Sequence, residues 1–392
     1  MTDPTGTRTH HNRRSLIVLL AVTVLAFVNY AALLPVVPLW AASGGAGSVI
    51  VGATTGVMMA ATVLAQVSMP LLFRLMRLRT MIMVGAILLG APAPLYALSS
   101  DIVLIMGVTL VRGFGFGLVV VAGATLVADV APPGQLARAA SYYGAAAALP
   151  NLAALAGGVW VAQTWGFGIV FVVAGASSVV AALLAVVLPG RPRGTFSVTS
   201  LDDTRRIAPP IAVFVTTSAS FGATTTFLPL SGPDAATAAL ALLATSVALV
   251  SGRLLAGVVS DRVGPGRMLL PAVALVILGC VGIAGSLTGP AWLLLLSAAV
   301  LGLGFGACQN DSFVLTIHRL GLDRTGTAST IWNIAYDGGM GLGAVAFGGV
   351  LGLLGHGEAF LALAATITVV TVVAALGGAQ RQGPDPQPGA PS

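Results

Sequence analysis

The segment GVVSDRVGPGR, residues 257–267, is the most informative short stretch of this chain. It is polar and basic, and an apolar stretch of membrane length lies on each side of it, at 235–257 and 268–287. A helix needs about 20 largely apolar residues to cross the hydrocarbon core of a bilayer. The segment is therefore predicted to be a short loop between two membrane-spanning helices.

Apolar stretches of this length recur twelve times along the 392 residues, of which 57% are hydrophobic and 8% are charged. Backbone polar groups in lipid must be satisfied within the segment, which favours helices. The predicted fold class is therefore an all-α membrane protein with twelve transmembrane helices. The predicted spans are 16–40, 48–73, 80–98, 102–128, 139–163, 168–188, 210–230, 235–257, 268–287, 291–317, 326–354 and 357–378.

The basic residues predict the orientation of these spans. Of the 18 basic residues, only Arg112 and Arg253 fall within spans, and the others lie in segments on the same side as both termini. Because basic loops remain in the cytoplasm, we expect a multi-pass protein of the inner membrane with both termini cytoplasmic. The sequence pI near 10.1 then indicates contact with anionic lipids, and no nucleic-acid binding is predicted.

One long inner connection divides the chain into two groups of six spans. The predicted parts are a cytoplasmic tail at 1–15, a six-helix bundle at 16–188, a connecting loop at 189–209, a second bundle at 210–378 and a disordered tail at 379–392. Cys280 and Cys308 fall inside spans, where a cysteine packs as a small hydrophobe. No disulfide, metal site or cofactor is therefore predicted.

The two groups of six spans resemble each other in sequence. RGFGFG at 112–117 matches LGLGFG at 301–306 at an offset of 189 residues, and Ala-Ser at 140–141 matches 328–329 at 188. The Leu-Pro pair at 34–35 has a counterpart at 228–229. Three matches in register favour a duplicated six-helix unit with a substrate path between its halves.

The sequence resembles the major facilitator superfamily of secondary transporters over nearly its whole length. The resemblance is carried by the spacing of Gly257, Asp261, Arg262, Gly264 and Arg267. The first-half copy of this loop, MPLLFRLMRLR at 69–79, keeps the basic residues but lacks the glycine and the aspartate. The resemblance implies two pseudo-symmetric six-helix bundles and alternating access, as in the drug or metabolite antiporters of the family.

We expect Asp261 to tie the two halves together at the inner face. An aspartate at a helix end can accept hydrogen bonds from the free N–H groups at the start of a neighbouring helix. Pseudo-symmetry would place Asp261 opposite the start of the fifth span near Arg138, while Phe73 cannot supply the equivalent contact. The alternative is that Arg262 and Arg267 only fix the topology and that Asp261 balances their charge.

Three charged residues inside spans are candidates for proton coupling. Arg112 lies about ten residues into the fourth span, where a charge costs roughly 2.5–3.5 kcal/mol, so a partner or a water-filled cavity is implied. The family resemblance implies a part in proton coupling for this arginine, and a structural pairing is the alternative. Asp337 is the acid placed deepest in a span, with Asp311 second. The alternative for Asp337 is permanent hydrogen bonding, for instance to Asn333 one turn before it.

Other polar side chains near the middle of spans are predicted to line a weakly polar central cavity. Each alone is also compatible with a hydrogen bond between packed helices. They are Asn29, Tyr30, Gln66, Asn151, Thr224, Gln309, Asn310, Asn333 and Tyr336.

The predicted function is proton-coupled export of a small apolar or amphipathic metabolite or drug by a monomeric transporter. Export is favoured because the expected cavity is poor in charge and in aromatic residues able to hold a sugar. No phosphate-binding loop is present, and no enzymatic activity is predicted. The alternatives are a proton-linked importer of a small nutrient and a non-transporting membrane sensor or scaffold. The expected partners are the substrate, protons and membrane lipids.

Overall fold

The structure is a computed structural model that describes residues 4–132, 135–190, 201–232, 234–321 and 324–379. Within these ranges, the side chains of 4–12, 137, 201–204 and 377–379 are not described. About half of the predicted connection at 189–209, namely 191–200, and nearly all of the tail at 379–392 lie outside the described residues. The helix after the connection begins at Leu201, so the predicted boundary at 209 is too late.

Within the described residues the chain folds into α-helices and one 3₁₀ helix. The helices are α1 (Pro4–Ser43), α2 (Ser48–Val67), α3 (Met69–Leu75), α4 (Leu78–Gly90), the 3₁₀ helix (Ala93–Leu98), α5 (Ile102–Val130), α6 (Leu136–Trp165), α7 (Phe167–Ala185), α8 (Leu201–Ser231), α9 (Ala235–Val263), α10 (Leu269–Ser286), α11 (Ala291–Leu320), α12 (Thr325–Leu354) and α13 (His356–Ala379). Twelve segments are long and apolar enough to cross a membrane. The predicted all-α class with twelve spans is confirmed.

Prolines divide two of the segments that were predicted to be continuous spans. The predicted span 48–73 is α2 followed by α3, with Pro70 in the first turn of α3. The predicted span 80–98 is α4 followed by the 3₁₀ helix, which starts after Pro92 and contains Pro94. Proline lacks an N–H group and clashes with the preceding turn, so it is accepted most easily in the first turn of a helix. Other prolines do not end a helix here, since α1, α6 and α8 continue through Pro35, Pro150 and Pro229.

The two halves of the chain repeat the same helix packing. In each half the glycines of the fourth or tenth span lie against backbone carbonyls of neighbouring helices, because a residue without a side chain lets helices approach closely. In the first half, Gly113 and Gly117 lie against the carbonyls of Met58 and Thr62. In the second half, Gly302 and Gly306 lie against the carbonyls of Thr245 and Leu249, which come 187 residues after Met58 and Thr62. The structural contacts therefore match the duplication seen in the sequence.

The halves, α1–α7 and α8–α13, meet mainly where α2 packs against α12 and α6 packs against α9. We call the face with the basic loops the arginine-rich face and the opposite one, where α2 begins and α12 ends, the arginine-poor face. At the arginine-poor face Gly348 lies against the carbonyl of Ser48, and Gly52 lies against the carbonyl of Ala344. In this conformation the halves are closely packed along α2 and α12 at the arginine-poor face.

Candidate functional site

A buried acid and a buried amide join the two halves. The Nε2 atom of Gln66 in α2 donates to Oδ2 of Asp337 in α12 at 2.6 Å. Asp337 is 3% exposed and Gln66 is fully buried. The structure shows no ion pair to Asp337 within the part of the chain that it describes, and Oε1 of Gln66 is buried without a hydrogen-bond partner. Among the described residues, the only hydrogen-bond partner of this carboxylate therefore comes from the opposite half.

Two further contacts cross the same interface. The hydroxyl groups of Thr55 in α2 and Thr226 in α8 are hydrogen-bonded at 2.8 Å. The hydroxyl group of Tyr30 in α1 lies 3.9 Å from the sulfur of Met340 in α12. The interface between the halves is thus polar at Gln66 and at Thr55. Neither Thr55 nor Thr226 was predicted as a site residue, because threonine is common in these spans.

Arg112 lies in a neutral network within the first half. Its guanidinium donates from Nε to the carbonyl of Leu89 at 3.2 Å, from Nη1 to the Tyr96 hydroxyl at 3.1 Å and from Nη2 to Oδ1 of Asn29 at 2.8 Å. The Tyr96 hydroxyl is also hydrogen-bonded to Thr109 at 2.7 Å. Arg112 is 2% exposed, and none of the described acids contacts it. The expected partner exists, but it is a set of neutral groups that includes Tyr96, which the sequence analysis missed.

Asp311 holds the loop that follows α9. Its Oδ1 atom accepts hydrogen bonds from Ser260 Oγ at 2.9 Å and from the backbone N–H of Gly266 at 3.2 Å. Gly266 has a φ of +82°, a conformation that favours glycine. Asp311 is fully buried. Its Oδ2 atom is buried without a hydrogen-bond partner among the described residues, and the two hydrogen bonds of Oδ1 are to its own half. Its place as the next candidate for the proton site after Asp337 stays a prediction.

Asp261, the residue expected to tie the halves together, is exposed and makes no hydrogen bond to any described residue. Asp261 and the exposed Arg262 lie in the last turn of α9, which continues to Val263, so only the second part of the predicted 257–267 loop is non-helical. Arg267 is exposed in the turn that follows, and Gly264 has a φ of +99°. Gly257 lies 3.8 Å, measured from an ideal Cβ, from the side chain of Asn310. The expected tie concerns a conformation closed at the arginine-rich face, so it stays a prediction.

The remaining predicted cavity residues fall into three groups. Asn29 and Asn333 are used within their own halves, since Asn29 donates to the carbonyl of Ala174 and Asn333 donates to the carbonyl of Ser329. Asn333 therefore bonds its own helix, whereas the amide beside Asp337 is Gln66. In the second group, each residue has a buried polar atom without a hydrogen-bond partner among the described residues; these are Thr224, Gln309 and Asn310. The third group, Asn151 and Tyr336, is half-buried.

Aromatic side chains of three helices stack on one another in the second half. The expectation of a cavity poor in aromatic residues able to hold a sugar stays a prediction. The rings of Phe214, Trp332 and Tyr336 are nearly parallel, with centroids 4.7 Å apart for Phe214 and Trp332 and 5.8 Å apart for Trp332 and Tyr336. Phe305 also stacks on Tyr336 at 6.1 Å. These rings come from α8, α11 and α12, which no pattern within one helix could reveal.

Twelve membrane-spanning helices in two similar halves, with polar side chains between the halves, form the architecture of a secondary transporter. The model of the Major Facilitator Superfamily matches residues 19–344, and the chain belongs to this family. It is therefore a multi-pass membrane transporter of the major facilitator type.

Several solved transporter structures share the fold. The nucleoside transporter NupG is 15% identical with a TM-score of 0.73, covering 92% of this chain and 98% of that one. A POT family transporter in complex with a thioalcohol-conjugated peptide is 11% identical with a TM-score of 0.77, covering 94% and 97%. A bacterial homologue of the human lysosomal transporter Spinster, inward-facing and occupied, is 13% identical with a TM-score of 0.75, covering 98% of both chains. A search among curated proteins finds no significant match.

Proposed function

We propose that this transporter exports a small apolar or amphipathic compound in exchange for protons, and that Asp337 is the proton-binding residue. The observation that carries the proposal is the hydrogen bond from Gln66 to Asp337 across the interface between the halves. A residue that couples ion binding to alternating access must sense whether the halves are together, and Asp337 touches both of them.

The environment of Asp337 links proton binding to this contact. A buried carboxylate without a positive partner costs several kcal/mol of desolvation, and protonation removes that charge. A protonated Asp337 can in addition donate to Oε1 of Gln66, which is buried without a partner. When α2 and α12 separate, water can reach the carboxylate. Proton binding therefore stabilises the conformation in which this contact is closed.

Arg112 and Asp311 were the other candidates for the coupling site. The Arg112 guanidinium is bound by neutral groups, and Asp311 is bound by Ser260 and Gly266. Neither has a described contact with Asp337. The proposal therefore places the proton on Asp337 alone.

The arginine distribution supports an inner-membrane location with the arginine-rich face in the cytoplasm. Cysteines substituted for the exposed residues Arg267 and Ser43 should be labelled by an impermeant thiol reagent from opposite sides of the membrane. The native Cys280 and Cys308 are buried and give little background. Labelling of Arg267→Cys from outside intact cells would reverse the orientation.

The proton coupling can be tested in pyranine-loaded liposomes that contain the purified protein. A panel of apolar acids, amines and neutral amides is added in turn, and the internal pH reports proton movement that a compound elicits. We expect Asp337→Asn to abolish this response while exchange of the labelled compound continues. Asp129→Asn, which changes an exposed acid at the end of α5, is the matched control. A full pH response in Asp337→Asn would refute the assignment.

Proton-linked import is the second candidate, because the stacked rings of Trp332 and Tyr336 beside Asp337 offer aromatic faces to a cyclic nutrient. The same liposomes separate the two functions. Exchange moves the compound against the direction of the proton, whereas import moves both in the same direction.

A further inference from the structure

The polar network around Arg112 is present in only one half of the repeat. At the offset that relates the halves, Arg112 corresponds to Leu301 and Thr109 to Ala298, and both of the latter are fully buried. At the offset of the first and seventh spans, Asn29 corresponds to Ala223, which is also fully buried. Because the glycines of RGFGFG and LGLGFG pack in the same way, the fold itself accepts an apolar side chain here and does not require a cation.

The network also leaves Arg112 without an anionic partner among the described residues, and its guanidinium lies 5.4 Å from the centroid of the Tyr96 ring. A guanidinium carries five N–H donors, and three of them reach Leu89, Tyr96 and Asn29, which are neutral acceptors. Two N–H donors remain. A buried cation without an anion is costly, so a site that keeps one in a position where the other half has leucine is suited to an anionic ligand.

Arg112 lines a cavity between α1, α2 and α5. The cavity measures about 10 Å³ in this conformation, which is room for a single water molecule. Thr54, Thr55, Thr109 and Tyr30 are its other polar residues, and the rest of its wall is apolar: Leu33, Leu34, Val37, Pro38 and Met58. The Thr55 hydroxyl is the one that bonds Thr226 of the opposite half. Separation of the halves at the arginine-poor face would therefore release one wall of the cavity.

We propose that Arg112 binds the carboxylate of the substrate and that the transported compounds are amphipathic monocarboxylic acids. The inference rests on the proposed function, because it treats this cavity as part of the transport path. Two parallel N–H groups of a guanidinium match the two oxygens of a carboxylate. A single cation neutralises one negative charge, and the apolar wall of leucine, valine, proline and methionine suits the hydrocarbon part of such an acid.

The test compares acids with their amides on the purified protein in a non-ionic detergent at pH 7.5. Benzoate, phenylacetate and octanoate are each paired with the corresponding amide, and inorganic phosphate is included as an anion without an apolar part. Thermal unfolding is followed by tryptophan fluorescence, because a ligand that binds the folded state raises the midpoint with its concentration. We expect at least one acid to bind at least tenfold more tightly than its amide, and phosphate to have no effect.

Variants then assign the discrimination to Arg112. We expect Arg112→Gln to bind the acid and the amide equally, and Arg112→Lys to retain part of the preference. Arg253→Gln, which removes the other arginine within a span, should keep the full preference. Equal binding of every acid and its amide by the parent protein would overturn the inference without any variant. So would an unchanged preference in Arg112→Gln.

This measurement is independent of proton coupling. If both the parent and Asp337→Asn bind an acid more tightly than its amide, the Arg112 site is supported. This holds even if the pH response shows that Asp337 is not the proton-binding residue. A pH response that depends on Asp337 but is elicited equally by neutral amides would support the coupling and refute the carboxylate site.

Discussion

The hydrogen bond between Gln66, near the C-terminal end of α2, and Asp337 should stabilise the packing of α2 against α12 that closes the arginine-poor face. We predict that Gln66→Ala shifts the protein toward the conformation in which this face is open. The bond is 2.6 Å long, and both residues are buried. While Asp337 is ionised, this is a hydrogen bond to a charged group, which contributes about 1.5–3 kcal/mol, and about 1.4 kcal/mol corresponds to a factor of ten in an equilibrium constant. The open population should therefore rise by roughly tenfold to a hundredfold.

Thiol labelling measures this population. Thr55 is 2% exposed and lies at the contact between α2 and α8, so a cysteine at this position reacts only when the face opens. Its labelling rate in a protein without Cys280 and Cys308 should increase at least tenfold in the Gln66→Ala background. Gln309→Ala is the control, since Gln309 is an equally buried glutamine on α11, which packs within its own half. A rate within twofold of the parent in Gln66→Ala would refute the reasoning.

Two further predictions concern stability. Gly306→Ala should lower the midpoint of thermal unfolding far more than Gly285→Ala. A Cβ at Gly306 would overlap the carbonyl of Leu249, whereas Gly285 has open space. Equal midpoints for the two variants would contradict this packing. Asp311→Ala leaves Ser260 and the Gly266 N–H without their acceptor, so trypsin should cleave the 257–267 loop at least tenfold faster than in the parent; unchanged cleavage would show that other contacts hold the loop.

Some candidate functional residues could be predicted from the sequence of one helix, and others could be identified only from their contacts with a neighbouring helix. Asp337 was found from the sequence because an acid deep in an apolar span is costly wherever its partner lies. Its partner was not found. Asn333 is at the helical spacing that favours a contact, but its side chain bonds the carbonyl of Ser329, and Gln66 of another helix binds the acid instead.

The 257–267 segment likewise combines a feature that the sequence predicted with a contact that only the structure shows. The glycine and aspartate spacing at 257–267 identified the family, which the match to residues 19–344 confirms. It did not reveal which residue fixes the turn after α9. In the structure that residue is Asp311, which lies about fifty residues later in the chain and reaches Ser260 and Gly266 from α11.

The sequence by itself determined the number of spans, the helical class and the duplication, because these follow from segment length, hydropathy and repeated motifs. The breaks at Pro70 and at Pro92 were not determined by proline alone, since α1, α6 and α8 continue through Pro35, Pro150 and Pro229. Only the tertiary structure decided which polar groups meet. Gln66 and Asp337 are 271 residues apart in the chain, and Arg112 and Asn29 are 83 apart. Hydrogen bonds between helices depend on helix rotation and distance, which helix packing sets and helical periodicity alone does not contain.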